Sequence, residues 1–429
     1  MTRGRQRIVI VGAGLAGLRA AERLRELRFD GDILIVGDEP YAPYHRPALS
    51  KQVLTQRGGA DDITLRSYVD LGDCWRIGTR AWRLAPGRHV VSLPGGEELR
   101  YDGLVIATGV QARHLSGAPR QDPRIHVLRT LDDAWSIRAT LSRSRGRVVV
   151  IGTGFTACEI ASSLRETGRA VTLVGRSATL LGGVIGEECG EAMNDFHRRN
   201  GTDLVLGVTT AGWDRRPDHV AVRLSDGRVL TASCVVVAIG SVFNTDWLRG
   251  AGIDTDGGIR CDPTCFVEGT EDVVAAGDVA RWPNLRFDET PRTCQHWLNA
   301  VEMGRAAAQN LLAGRSRARP YCPMPAFWSE QYGRRIQGVG LPALATNSVP
   351  LSGKLKHLRR AVFGYDEGAR RVGVIAFDQP RELLRLTLEL ESALPAPPRA
   401  IARAPRPTRT TAPAGPDLIF VTKGLHLAT

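Results

Sequence analysis

At 429 residues the chain is too long for one ordinary domain and suits two or three. An apolar fraction of 43% with 47 glycines fits an α/β protein rich in tight turns, and no run of about 18 uncharged apolar residues exists that would span a membrane. The net charge of +12 admits nucleic acid, an anionic surface or an acidic protein partner, and part of it is local, since Pro398–Thr410 carries arginines and no acid.

Met1–Ala20 has the outline of a secretory signal, but Arg19, Glu22 and Arg23 break its apolar run, so the segment is read as structural. From Arg7 the chain reads RIVIVGAGLAG: a buried parallel strand, a glycine turn and an amphipathic helix, followed by a second strand at Ile33–Val36. His89–Leu93 and Glu98–Tyr101 predict a short hairpin, and Leu104–Ile106 a buried strand ending in the small-residue turn Ala107–Gly109. Arg147–Ala157, RVVVIGTGFTA, repeats the opening unit. It too is followed by a second strand (Ala170–Val174), a hairpin (Val220–Leu224 with Val229–Leu230) and an apolar strand, Val235–Val237, running into Ala238–Gly240. Two copies of one nucleotide-binding architecture imply two bound nucleotides.

Glu271–Asp278, EDVVAAGD, is a strand that delivers an aspartate at a glycine turn, and a helix is expected from about Gln295 to Leu312. Beyond Tyr321 the pattern changes to strands at Ile336–Gly340, Arg360–Gly364 and Val372–Phe377 and a helix at Arg381–Ser392. From about Leu394 the sequence is Pro/Ala/Arg-rich and reads as a tail. The expected fold class is α/β, with two Rossmann-like dinucleotide-binding domains and a C-terminal α+β domain. The first domain is discontinuous (1–111 and 242–318), the second is 112–241, the third 319–395, and the basic tail 396–429.

In the first glycine motif Gly12 permits the turn, Gly14 lets a pyrophosphate approach the backbone, and Gly17 lets helix and strand pack closely. The phosphates would meet the free N–H groups of a helix N-terminus, and Asp38, after the second strand, can bind ribose hydroxyls. The second motif is Gly152, Gly154 and Ala157. An NAD-selective site would carry Asp or Glu near Gly175; this one carries none, and Arg176 is adjacent. The reading leans to NADPH or to relaxed selectivity, the alternative being a solvated surface arginine. The cysteines include no C-x-x-C and no metal-ligand spacing. The nearest pair, Cys261 and Cys265, reads as two unrelated positions, because Asp262-Pro263 opens a turn and not a thiol-activating helix N-terminus. Reduced thiols predict a cytoplasmic protein.

The segments GAGLAG (12–17), YHRPALSK (44–51), ATG (107–109), LRTLDDA (128–134), GTGFTACE, TEDVVAAGD, HWLNAVEMGRAAA and FWSEQYG (327–333) follow one another in family order over about residues 7–390. The chain resembles the ferredoxin-reductase branch of the glutathione-reductase-like flavoproteins, the reductases that serve Rieske oxygenases and haem-thiolate monooxygenases. The resemblance implies FAD on Gly12, Gly14, Gly17, Asp38, Arg46 and Lys51, with a backbone contact from Ala81, Arg129 near the phosphates, Asp278 at the ribitol and Trp297 beside the flavin ring. The second motif itself puts a nicotinamide dinucleotide on Gly152, Gly154 and Ala157, with Arg176 and Gly240, and the resemblance implies that Glu159 holds the carboxamide. Lys51, Glu159 and Trp297 are then the catalytic candidates, while Trp328 stays open between packing and partner contact.

Gln295 and Ala326 depart from the family's usual glutamate and aromatic residue, which leaves the acceptor open. The implied reaction passes a hydride from NADPH or NADH to FAD and single electrons to an acidic [2Fe-2S]-type or related ferredoxin that feeds an oxygenase. No metal site and no membrane partner are expected. Two rivals stand beside it: direct reduction of a small molecule such as a quinone, and a DNA-binding flavoprotein like the apoptosis-inducing flavoproteins. The second ranks below the first, because both nucleotide motifs are intact and the basic excess lies partly in the tail.

Overall fold

The computed structural model describes residues 6–354 and 359–395. Strand Arg7–Val11 lies at the centre of a five-stranded parallel sheet, in the order Val273–Ala275, Gly103–Ile106, Arg7–Val11, Asp32–Val36, Trp75–Arg76. Its near-continuous apolar sequence is what a parallel strand covered on both faces requires. Leu18 and Leu24 of helix Leu15–Glu26, Met303 and Ala307 of helix Trp297–Ala313, and Leu84, Val91 and Leu99 of an antiparallel three-stranded sheet complete this core. The two helices approach closely because position 304 is glycine: a Cβ there would lie under 3.0 Å from the Ala16 carbonyl oxygen.

The second unit repeats the plan around Val148–Ile151, in the order Asp203–Leu206, Val171–Gly175, Val148–Ile151, Cys234–Val237, Ile125–Val127, again all parallel. The chain passes between the two units through strands Val110–Ala112 and Ser241–Phe243, which pair antiparallel. The third unit is a five-stranded antiparallel sheet, Ala326–Gln331, Arg334–Gly340, Arg370–Phe377, Arg359–Glu367, Asn347–Lys354. Helix Pro380–Ala393 covers it through Leu383, Leu386 and Leu390. Phe327, Ile336, Phe363 and Phe377 share a core with Ile137 and Ile160 of the second unit and with Tyr44 and Leu49 of the first. That shared core brings all three units to one place.

The architecture is the expected one, with several local differences. Each expected hairpin is the outer part of a three-stranded sheet, completed by Arg83–Ala85 in one case and Thr210–Arg215 in the other. The helix expected from Gln295 begins at Trp297, because His296 is extended (φ −118°, ψ 144°). Strand Asn347–Lys354 was not expected; it is a sheet edge with Pro350 inside it and alternates poorly, so its sequence lacks the usual strand signal. The basic tail from residue 396 lies outside the described residues. Among the described residues no helix is long and apolar enough to cross a membrane.

Candidate functional site

At the first glycine turn the Gly12 N–H donates to Val36 O at 2.7 Å, tying the turn to the neighbouring strand. Gly12 has φ +121°, and a Cβ there would lie under 3.0 Å from the Ala107 carbonyl oxygen; a Cβ on Gly17 would similarly overlap Gly12 O. Gly14 differs. A Cβ there would meet nothing within 4 Å. Gly14 is the N-cap of helix Leu15–Glu26, with no side-chain cap and no acidic residue in the first turn. Free helix N–H groups therefore face an open cradle that a side chain would fill, which fits the pyrophosphate of FAD.

Several of the other residues assigned to this nucleotide are linked to one another by hydrogen bonds and ion pairs. Asp38 is exposed, and no described side chain pairs with it. Thr79 N–H donates to Gly37 O (2.7 Å), which carries buried Ala81 to this edge. Glu39, which sequence reasoning missed, pairs with Arg46 and accepts from Tyr44 OH (2.6 Å). Arg46 also donates to Arg129 O at 3.0 Å, and Arg129 in turn pairs with Asp278 at 2.8 Å. Trp297 opens its helix with a buried indole N–H that has no protein partner. It lies edge-on to His45 and to half-buried Trp328, with ring centroids 5.6 and 6.0 Å away. Burial, reinforced by the Lys51 charge, lowers the pKa of His45, and burial pushes that of His296 down to about 4. Both rings are neutral at pH 7.

The second turn repeats the geometry: Gly152 N–H donates to Val174 O at 2.8 Å, and Gly154 caps helix Phe155–Glu166. Ala157 is fully buried behind Gly152, and Gly240, at φ +97°, faces open space. The matching hydrogen bonds align Val36 with Val174, hence Gly37 with Gly175 and Asp38 with Arg176. No carboxylate stands at position 175 or 176, as the sequence reading has it. A Cβ on Gly175 would lie under 3.0 Å from Thr153 Cγ2, just as one on Gly37 would meet Ala13 Cβ. At the position that aligns with Asp38 the second turn carries Arg176, exposed and with no partner among the described residues.

The two halves meet at Glu159. Lys51, from the π-helical turn Leu49–Val53, places Nζ 2.7 Å from Glu159 Oε2. Ser50 Oγ donates to the same oxygen at 2.6 Å, and Ser329 Oγ of the C-terminal sheet donates to Oε1 at 2.6 Å. Glu159 is 7% exposed. Sequence reasoning named Lys51 and Glu159 separately and missed both serines. All eight cysteines are free and buried; burial raises the thiol pKa to about 12 at Cys234 and well above normal at Cys265.

Comparison with known proteins places this geometry. Residues 6–304 match the pyridine nucleotide-disulphide oxidoreductase family, and residues 326–412 match the reductase C-terminal family. The chain is 31% identical to the 3-phenylpropionate/cinnamic acid dioxygenase ferredoxin–NAD(+) reductase component of Photorhabdus laumondii, over 89% of this chain and 95% of the relative. It is 32% identical to a putidaredoxin reductase of Pseudomonas putida over 92% and 94%. A crystal structure of the covalent putidaredoxin reductase–putidaredoxin complex superposes with a TM-score of 0.84 at 30% identity, covering 92% of this chain and 95% of that one.

Proposed function

The chain belongs to the pyridine nucleotide-disulphide oxidoreductase family, and from that premise we propose that it is an FAD-dependent NAD(P)H:ferredoxin reductase supplying an oxygenase. The observation that carries the reading is the Lys51–Glu159 pair, which joins the FAD half to the nicotinamide half. FAD, when bound, supplies hydride acceptance and one-electron release. The protein's part is to hold and orient. The helix N-terminus at Gly14 receives the FAD pyrophosphate, Asp38 its ribose, and Asp278 with Arg129 the chain between phosphate and ring. The N-terminus at Gly154 receives the coenzyme pyrophosphate, and Glu159 takes the carboxamide N–H. Trp297 and the neutral rings of His45 and His296 keep water from the ring edge. Hydride transfer needs no general acid, and the buried, unbridged cysteines give no thiol relay.

Arg176 supports NADPH over NADH, although the relatives above that name a coenzyme name NAD(+). The acceptor is an acidic ferredoxin that docks near Trp297 and Trp328, drawn by a chain of net charge +12. The work takes place in the cytoplasm, where thiols stay reduced. The test is steady-state turnover with acidic ferredoxins, quinones and dyes at rising salt. Ferredoxin turnover should lead and should fall with salt as the Debye length shrinks from about 10 Å at 0.1 M to about 3 Å at 1 M. Flavin reduction by NADPH, inside a cleft, should fall much less. Rapid reduction of one small molecule with negligible ferredoxin turnover would replace this reading with the direct-reductase one.

A further inference from the structure

Behind Glu159 runs a buried polar chain with no part in the reading above. Ser329, which donates to Glu159 Oε1, lies 3.1 Å from Gln331 Nε2. Gln331 Oε1 lies 2.9 Å from His197 Nε2. The other ring nitrogen of His197 is 3.4 Å from Tyr332 OH, which is 2.6 Å from Thr202 Oγ1. Ser329, Gln331 and His197 are each at most 1% exposed, so water does not complete these bonds.

The chemistry of the groups fixes the direction. A carboxylate only accepts, so Ser329 commits its single proton to Glu159. The serine oxygen then accepts from the Gln331 amide NH2. Gln331 therefore turns its carbonyl to His197, whose Nε2 must carry the proton. The remaining Nδ1 accepts from Tyr332, whose oxygen accepts from Thr202. Every donor in the series points toward Glu159. Burial holds the imidazole neutral, its pKa pushed down to about 4, so the one-proton ring this requires is the form present at pH 7.

We propose that Gln331 and His197 are positioning residues for hydride transfer, fixing the Oε1 edge of Glu159 through Ser329 and so the orientation of the nicotinamide carboxamide. The proposal rests on the assignment of Glu159 to the coenzyme. It gives the C-terminal sheet a part in the hydride step, through strand Ala326–Gln331. Lys51 and Ser50 still hold Oε2 when the wire is cut, so the coenzyme should bind nearly as well but sit less well aligned. Because a displacement of about 1 Å at the reacting atoms costs on the order of a hundredfold in rate, the loss should fall on the rate and not on affinity.

The experiment is stopped-flow reduction of the holoenzyme by NADPH for the wild type, Gln331→Met, Ser329→Ala and Glu159→Gln, with coenzyme affinity and thermal unfolding measured alongside. Methionine keeps the bulk of Gln331 and removes its N–H. Gln331→Met and Ser329→Ala should lower the limiting reduction rate by roughly ten- to a hundredfold while Kd changes by less than about threefold. Nitrogen NMR of the wild type should show His197 protonated on Nε2 alone. If Gln331→Met reduces within about twofold of the wild type while Glu159→Gln is slow, the wire is wrong and the assignment of Glu159 stands. If Glu159→Gln is itself as fast as the wild type, that assignment fails and the proposal falls with it. A rate that declines only in step with lost folded protein, or a His197 protonated on Nδ1, overturns the positioning role.

Discussion

Replacing Gly14 with valine separates ligand binding from folding, because the glycines of the first motif are glycines for different reasons. A side chain at Gly12 or Gly17 would collide with the protein's own carbonyl oxygens, whereas one at Gly14 would enter space empty of protein. The Gly14 backbone (φ −86°, ψ −165°) is open to any residue. The apoprotein should therefore lose only about 1 kcal/mol, the N-cap preference of glycine over an apolar residue, which lowers Tm by roughly 2–4 °C in a domain of this size. FAD should suffer far more. Bonds from backbone N–H to a charged phosphate are worth about 1.5–3 kcal/mol each, so losing two weakens FAD by roughly a hundred- to ten-thousandfold. Gly17→Ala should act in the opposite sense, destabilising the apoprotein by about 1–3 kcal/mol or more through overpacking. Deflavinated proteins would be melted, then titrated with FAD by fluorescence. A Gly14→Val protein that binds FAD within about tenfold of the wild type would refute the cradle, since the expected loss is at least tenfold greater.

Arg176→Asp should reverse coenzyme preference, measured as kcat/KM for NADPH against NADH; a charge-assisted bond to the 2′-phosphate is worth about 1.5–3 kcal/mol, so a shift of roughly ten- to a hundredfold is expected. Gly175→Glu should instead destabilise the protein and recover when Thr153 is shortened to Gly, and an unstrained Gly175→Glu protein would show that Thr153 does not crowd that position. His197 and His296 have folded pKa values near 4, below the unfolded value near 6.5. The unfolded state binds more protons between those limits, so stability is full above about pH 6.5 and is lost as pH falls toward 4, by up to ~3 kcal/mol for the buried His197 ring and by less for half-buried His296. His197→Gln should flatten that decline in denaturant midpoint, and an unchanged slope would place the lost stability on other groups.

The two parallel sheets were legible because their signals are local. A fully apolar strand, a glycine turn and an amphipathic helix follow within about one βαβ unit, and the spacing of Gly12, Gly14 and Gly17 is itself the geometry of the turn. The site was legible only in parts. Ser50 and Glu159 are 109 residues apart, and Ser329 and Glu159 170 apart. A lone serine or glutamine carries no periodic signal to mark it. His197 reads as a cation favouring its helix C-terminus, yet it is buried and neutral because Phe196, Tyr332 and Gln331 enclose it. Thr153 looks like a free position within the motif, and only the strand register shows that it crowds Gly175. Strand Asn347–Lys354 escaped for a different reason: an exposed edge with an internal proline is under no pressure to alternate. At the site, what the sequence hid is contacts between units. At Glu159 all three units meet: the first supplies Lys51 and Ser50, the second Glu159 itself and the third Ser329.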